Sequence, residues 1–550
     1  MNPVHLCISL FLAVLVFTVL AFTFIPHFRT DLKSSYKQIF FILIVAFIAK
    51  YPFFQNYFFG LEYEDSYVYD AYARSLLYFQ HFSVDPFLTS GCTIGSFNDC
   101  QVISTYSGHL ITYPSVVYFF IFLFGYSPYT ILFFNLSCSI FAAVLIYLLT
   151  KLLSGNKVLG LIAATIYSLT PIMNVFQTSG LSETFSSTSV LLFLYLYFSM
   201  VNNGHDSKKK LEQIIHWSAI ILSFIFASLI KRENLLLITV PIYSLLIPDI
   251  KVRFRVLLKR LLPIGFSIFA VLLFYKYYID LHATINAEMP DVHGFPFSFK
   301  FLYILFPIFI RSLLTFKWFA LFTPFCFVGI LMIFINYKNY KTFLIIFLLF
   351  FFYLLLYSSH YRSYYFIKEN TATTFETLRY INNLFPFYCM LSALPLFYVY
   401  EKFLKKNRTR TISNYSFLAV VFISICLLIQ GHSLKKYFSI IEMENRITPV
   451  EITLKSLKNN DILVTDEPLL FQIFSDPNFE IINLYSIGKS YPESDLEKLM
   501  KYKNIYYLHK PFQDDPIQIE RHQESFEIIN KYKKTIISHN SYFDLLKLNN

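Results

Sequence analysis

The chain has 550 residues, of which 56% are hydrophobic and only 15% charged, and its 65 Phe and 42 Tyr make it 20% aromatic with the two Trp. No soluble fold needs that much apolar surface, and runs of about 17–25 apolar residues read as membrane helices. The formal charge of +11 does not point to nucleic acid, because Lys and Arg concentrate in short connections between apolar runs, the positive-inside pattern of membrane topology.

Residues 4–25 form the first apolar run. No Lys or Arg precedes it and no small-residue cleavage site follows, so it reads as a retained span with its N-terminus outside. A connection at 26–38 carrying Arg29, Lys33 and Lys37 is expected on the cytoplasmic side, and a span over about 38–58 leads out to a large outer loop at 59–112. That loop opens with Glu62, Glu64, Asp65 and Asp70 close to the membrane surface. Helical spacing from about Glu64 puts Asp65, Tyr69, Tyr72 and Leu76 on one face and lets Asp70 pair with Arg74. This predicts an amphipathic interfacial helix with its aromatics in lipid; the plainer reading is that Glu64 and Asp65 cap a helix N-terminus. Cys92 and Cys100 lie in the same loop and are disulfide candidates if it faces an oxidising space, two free thiols being the alternative. Cys7, Cys138, Cys326, Cys389 and Cys426 fall in apolar segments and read as inert core residues. The loop ends in Tyr106-Ser-Gly-His109-Leu-Ile-Thr-Tyr113-Pro114.

An apolar stretch at 115–125 is short for a crossing and reads as half-inserted, and a span at about 128–151 runs inward to Lys151 and Lys157. A span at about 158–174 returns to a short outer loop holding Glu183, and one at about 186–201 goes in to Lys208–Lys210. The next, about 214–230, comes out to Lys231-Arg232-Glu233-Asn234, and a return by about 248 meets a basic loop. Spans then follow at about 261–279, 318–336, 342–357, after Arg379 and at 414–431, with a second partial segment at 301–316. The count is about twelve. With 14 Gly in the chain, a core of Gly-x-x-x-Gly crossings is not expected.

Residues 432–550 change character: apolar runs at 461–465, 504–508 and 535–537 alternate with helical stretches at 493–501 and 517–531. This predicts a small outer α/β domain with a largely parallel sheet. It has no Gly-rich phosphate loop. The expected architecture is therefore a polytopic α-helical membrane domain, 1–431, followed by a C-terminal α/β domain, 432–550.

Three polar sets are expected at the outer face: Glu64 with Asp65; Glu183; and the cations Lys231, Arg232, Arg362, Lys368 and Arg379. Any one of the cations is accounted for by snorkelling to headgroups, and Glu183 by a solvated loop. Yet the Lys231–Asn234 break stands against the positive-inside trend, where charges are more often functional. Cations there would hold a lipid phosphate while a carboxylate takes a proton from an attacking hydroxyl. His282, Glu288, Asp291 and His293 share one loop, but their irregular spacing favours an ordinary polar loop over a metal site.

The run Glu64-Asp65-Ser-Tyr-Val-Tyr69-Asp-Ala-Tyr-Ala73-Arg74 resembles the first outer loop of the GT-C glycosyltransferases, which include protein O-mannosyltransferases, the aminoarabinose transferase of lipid A and the oligosaccharyltransferase catalytic subunit. The resemblance continues through Tyr113-Pro114, Gly125, Thr170-Pro171 and Leu378-Arg379-Tyr380, covering roughly residues 40–400. It implies a multi-pass enzyme of the cell membrane that takes a sugar from a polyprenyl-phosphate donor at the outer face and inverts the anomeric carbon, with membrane lipid as its surroundings and an acceptor the motifs do not specify. Carried over, Asp65 takes the catalytic carboxylate position with Glu64 as its acid partner, and Glu183 that of the second-loop acid. Lys231, Arg232, Arg362 and Arg379 become candidates for the donor phosphate, and Tyr69, His109 and Tyr113 for the substrate walls. The chain departs from the pattern at Ser66, where many members have a second acid, and in its lone Glu183. Both weaken the case for a tightly bound metal; a divalent cation (Mg or Mn) is admitted, not required. A transporter or flippase of lipid-linked sugars is the alternative, and would show an internal repeat and groups at mid-membrane; no repeat is found, and Lys50 and Lys276 are the nearest to intramembrane charges. A polymerase or ligase with a pyrophosphate-linked donor is a third reading.

Overall fold

The structure, a computed structural model, describes residues 3–55, 64–79, 111–177, 179–203, 210–243, 263–274, 298–314, 322–359, 381–404 and, with short gaps, 450–549. Its helical part runs α1 (Pro3–Phe24), α2 (Pro26–Gln55), α3 (Glu64–Phe79), α4 (Thr112–Phe124), α5 (Pro128–Ser154), α6 (Lys157–Leu169), α7 (Pro171–Gln177), α8 (Ser182–Asn203) and α9 (Lys210–Ile230). A 3-10 segment, Arg232–Ile238, follows α9. Then come α10 (Pro263–Phe274), α11 (Phe299–Leu313), α12 (Phe322–Ile335), α13 (Phe343–Ser359) and α14 (Phe385–Val399). Six described segments are long and apolar enough to cross a membrane, and five shorter apolar helices stand beside them. The expected span at 414–431 lies outside the described residues. The 13 residues of α4 reach about 20 Å, short of a hydrocarbon core of about 30 Å, as expected for the stretch at 115–125.

Local chemistry explains the breaks. Ser127 caps α5, accepting from the Tyr129 N–H at 3.2 Å with Pro128 opening the helix; such caps satisfy donors that a helix start leaves unpaired. Gly155 closes α5 at φ +69°, and Asn156 Oδ1 at once accepts from Val158 N at 2.8 Å to start α6. A Cβ on Gly160 would come within 2.7 Å of the Tyr147 carbonyl, so this helical hairpin closes only with glycine there. Proline at 171 ends α6 and redirects the chain into α7.

Two expectations are corrected here. Residues 26–38 are not a connection but the first turns of α2, whose polar residues meet the α5–α6 hairpin. Lys151 Nζ binds Asp31 Oδ1 at 2.6 Å and Ser35 Oγ at 2.9 Å, and Lys157 Nζ donates to the Ser34 carbonyl at 2.6 Å. Thr342 Oγ1 reaches the Leu153 carbonyl at 2.9 Å, so the connections expected on one side of the membrane gather at one end of the bundle. Second, α3 does not lay its aromatics in lipid. Tyr69, Tyr72 and Leu76 are buried, but so are Ala71, Ala73, Asp70 and Arg74, because the helix is enclosed by protein and packs along α4. The period-3.6 pattern identified a helix, but not what would cover it.

The C-terminal sheet has the order β2-β1-β3-β5-β4, with β1 Ile462–Thr465, β2 Glu480–Asn483, β3 Ile505–His509, β4 Lys533–His539 and β5 Asp544–Asn549. β1 is parallel to β2 and β3, whereas β5 is antiparallel to β3 and β4. The sheet is mixed rather than largely parallel because β4 and β5 form a hairpin-like pair with too little chain between them for a crossover. The helices α15 (Glu493–Met500) and α16 (Gln523–Lys531) cover one face through Leu496, Leu499, Phe526 and Ile529. On the other face, Leu463, Ile481, Leu508 and Leu545 join the apolar cluster that runs through the helices.

Candidate active site

At the end of the bundle opposite the Asp31–Lys151 pair, the turn between α7 and α8 is held from four helices. Lys50 of α2, wholly buried, donates to Asn174 Oδ1 at 2.7 Å and Gln177 Oε1 at 2.5 Å, and lies 5.5 Å from the Tyr167 ring centre. Asn135 of α5 donates to the carbonyls of Ser179 and, at 2.8 Å, Leu181. Tyr113 of α4 donates to the Gly180 carbonyl at 3.1 Å, and the Tyr69 hydroxyl of α3 lies 3.1 Å from Ser182 Oγ. The Tyr69 and Tyr113 rings meet edge to face at 4.9 Å. A buried carbonyl without a donor costs about 1–3 kcal/mol, so this set of donors fixes the turn. The turn delivers Glu183 into the first turn of α8, where the helix dipole favours a carboxylate.

Glu183 Oε1 accepts from Lys231 Nζ at 3.1 Å, and Lys231 also lies 3.7 Å from Glu233 Oε1. The Lys231 and Glu183 side chains are 21% and 10% exposed, enough shielding to strengthen the pair over a surface contact. Tyr357 of α13 donates to Glu233 Oε1 at 3.1 Å, Asn383 Nδ2 donates to the Tyr357 hydroxyl at 2.9 Å, and Ser187 donates to Asn383 Oδ1 at 2.8 Å. Asn234 Nδ2 donates to Ser186 Oγ at 2.8 Å, and Tyr353 donates to Asn234 Oδ1 at 3.0 Å. The polar break after α9 is thus bolted to α8 and α13, with Lys231 set between two carboxylates. Arg232 is exposed beside it.

Of the residues singled out by sequence, Glu183, Lys231, Tyr69 and Tyr113 are brought together. Glu64 and Asp65 open α3, a little over one turn before Tyr69, and their side chains lie outside the described residues, as do His109, Cys92, Cys100, Arg362, Lys368, Arg379 and the His282–His293 loop. Glu233 and Asn234 were legible as part of the Lys231–Asn234 break; Tyr357 and Asn383 carried no signal that set them apart from other polar residues near span ends. Lys50 was noted as a near-intramembrane charge, and its carbonyl partners explain how the membrane part tolerates it. Among the described residues, no three His, Cys, Asp or Glu side chains converge as a metal site, and Glu183 and Glu233 turn to an ammonium instead.

On α3, Asp70 and Arg74 are each 1% exposed. Tyr126 donates to Asp70 Oδ2 at 3.0 Å, and the Arg74 guanidinium stacks 4.4 Å above the Tyr126 ring. Burial pushes the Asp70 carboxyl up to about 6, against the pull of the Arg74 charge and the Tyr126 hydrogen bond. Gly125, at φ +83°, makes the turn that brings Tyr126 there; the left-handed backbone favours glycine. This cluster anchors the helix whose first turn carries Asp65.

No protein-family model matches the sequence, and no curated protein matches it significantly. Solved structures do. The chain is similar to ArnT from Cupriavidus metallidurans bound to undecaprenyl phosphate, at a TM-score of 0.54 and 11% identity, over 94% of this chain and 98% of that one. The apo state of the same protein matches at 0.52 and 13% identity, again over 94% and 98%. An Archaeoglobus fulgidus oligosaccharyltransferase tethered with an acceptor peptide reaches only 0.49 at 11% identity, over 92% and 73%, too loose a likeness to carry an argument. The end-to-end match to ArnT shows that this chain shares the fold of that structure.

Proposed function

We propose that this protein is a membrane glycosyltransferase that takes a sugar from a polyprenyl-phosphate donor and passes it, with inversion, to an acceptor hydroxyl. The observation that carries this reading is the Lys231 ammonium held between Glu183 and Glu233 at one end of the bundle, beside the helix that opens with Glu64-Asp65. It is supported by a fold shared with a protein whose structure was solved with undecaprenyl phosphate bound.

The chemistry needs few parts. The donor phosphate displaces the carboxylates from Lys231, and Arg232, Arg362 and Arg379 add charge where the phosphate departs. Asp65, with Glu64 beside it, takes the proton of the acceptor hydroxyl as its oxygen attacks the anomeric carbon from the face opposite the phosphate. The carbon–oxygen bond to phosphate breaks, the new glycosidic bond forms, and polyprenyl phosphate leaves with the electron pair. Tyr69, His109 and Tyr113 wall the sugar, and Glu183 returns to Lys231 once the phosphate has gone. In this reading the site and the domain from residue 432 onward are extracytoplasmic, in the cell membrane.

The test is transfer of radiolabelled sugar from polyprenyl-phosphate donors in membranes carrying matched amounts of wild type and variants. Asp65→Asn is expected to lose about 10²–10⁴-fold in rate, and Lys231→Ala to raise the KM for the lipid donor. Unchanged transfer in Asp65→Asn would overturn the base assignment. Lipid-linked sugar crossing the bilayer with no transfer from any donor would replace the enzyme by a flippase.

A further inference from the structure

At the candidate site two carboxylates, Glu183 and Glu233, face the single ammonium of Lys231. A site that receives a lipid phosphate has no evident use for the second acid, because like charge repels the ligand and competes for its cation. The two acids are not held alike. Glu183 Oε1 accepts from Lys231 Nζ at 3.1 Å. Glu233 Oε1 stands 3.7 Å from the same nitrogen, an ion-pair distance too long for a hydrogen bond, and accepts from the Tyr357 hydroxyl at 3.1 Å instead.

Tyr357 is itself aimed. Asn383 Nδ2 donates to its oxygen at 2.9 Å, and Ser187 Oγ donates to Asn383 Oδ1 at 2.8 Å. With that amide on its oxygen, the hydroxyl turns its one proton to the carboxylate. Ser187 and Asn383 are buried, and the three donors run in one direction, from Ser187 to Glu233, so each bond strengthens the next. Ser187 follows Glu183 by one turn on α8 and shares its face. The chain therefore closes a ring of six side chains, Glu183, Lys231, Glu233, Tyr357, Asn383 and Ser187, drawn from α8, the break after α9, α13 and the turn before α14. Lys231 and Glu233 keep 21% and 22% of their side chains exposed, so an anion from solvent has access to the ammonium.

We propose that Tyr357, aimed by Asn383 and Ser187, is a positioning residue that holds Glu233 off Lys231 and so sets the affinity of that ammonium for a lipid phosphate. This role rests on the transferase reading of the site. A carboxylate that already accepts a hydroxyl gains less from the ammonium, and yields it to a phosphate at smaller cost. Without the hydroxyl, Glu233 closes the gap and competes with the phosphate as Glu183 does.

Binding of radiolabelled undecaprenyl phosphate to the full-length protein in detergent, with undecaprenol as the probe lacking the phosphate, tests it. Tyr357→Phe is expected to weaken undecaprenyl phosphate binding by about threefold to tenfold, whereas Glu233→Gln should tighten it by removing the competitor. In the double variant Tyr357→Phe should add nothing, because a neutral amide does not compete for Lys231. Undecaprenol should bind all four forms alike. Misfolding cannot tighten binding, so Glu233→Gln decides the matter even where Tyr357→Phe is unstable. Weaker or equal binding in Glu233→Gln, or a Tyr357→Phe loss that persists in the double variant or extends to undecaprenol, would overturn this role and leave the transferase reading standing. A wild type that binds the two lipids equally would overturn both.

Discussion

Lys231 is placed where a resting protein neutralises it and an arriving anion would claim it. Removing either partner strands a half-buried charge, so Lys231→Met and Glu183→Gln should each cost about 1–3 kcal/mol, while the double variant costs less than the sum. Chemical or thermal unfolding in detergent measures that coupling, and strict additivity would mean that the two side chains do not interact. Asp70 makes a second prediction. Its folded carboxyl, at about 6, lies above its ordinary 3.8, so the folded state binds the proton more tightly than the unfolded chain. Stability from this group is therefore full below about pH 4 and falls as pH rises through about 6, by roughly 3 kcal/mol. The apparent Tm should drop across that window in wild type and flatten in Asp70→Asn, which keeps an acceptor for Tyr126.

At the scale of elements, the turn before α8 is what brings the acid to the cation. Asn135→Leu removes the donor to two buried carbonyls and should cost about 2 kcal/mol or more. Lys50→Met should act alike on Asn174 and Gln177. Both are expected to lower sugar transfer through kcat rather than donor KM, since neither touches the donor; an unchanged Tm and rate in both would show that the turn holds itself. Helix contacts are equally particular. A Cβ on Gly329 of α12 would overlap the Leu391 carbonyl of α14, so Gly329→Val should unfold or misassemble the bundle: one glycine makes a close crossing without a Gly-x-x-x-Gly pattern. Spacing marked several helices well: α5, α8 and α9 fall where their apolar runs lie. It could not say that α3 is covered on all sides, because a run of Tyr and Ala suits lipid and protein alike.

For the whole molecule, the two charged ends of the bundle make the topology testable. Asp31 and Lys50 are nineteen residues apart on one helix, about 28 Å, close to the hydrocarbon thickness. On a cysteine-free background, Asn156→Cys and Arg232→Cys should react with a membrane-impermeant maleimide from opposite sides of the bilayer, and Asp514→Cys from the same side as Arg232→Cys. Labelling of Asn156→Cys and Arg232→Cys from one side would refute the arrangement.

What the amino-acid sequence determined by itself was the class of protein, the place of most helices, the two polar ends and four residues that do meet: Tyr69, Tyr113, Glu183 and Lys231. Hydrophobic period and length carry that information locally, and the placing of charge in short connections groups those connections by end of the bundle. Only the tertiary structure decided that Lys231 rests between Glu183 and Glu233, that Tyr357 and Asn383 back that contact, that Lys50 props the turn, and that β4 and β5 run antiparallel. Each of these joins residues far apart in the chain, and such pairings are set by how helices and strands pack, which no local pattern records.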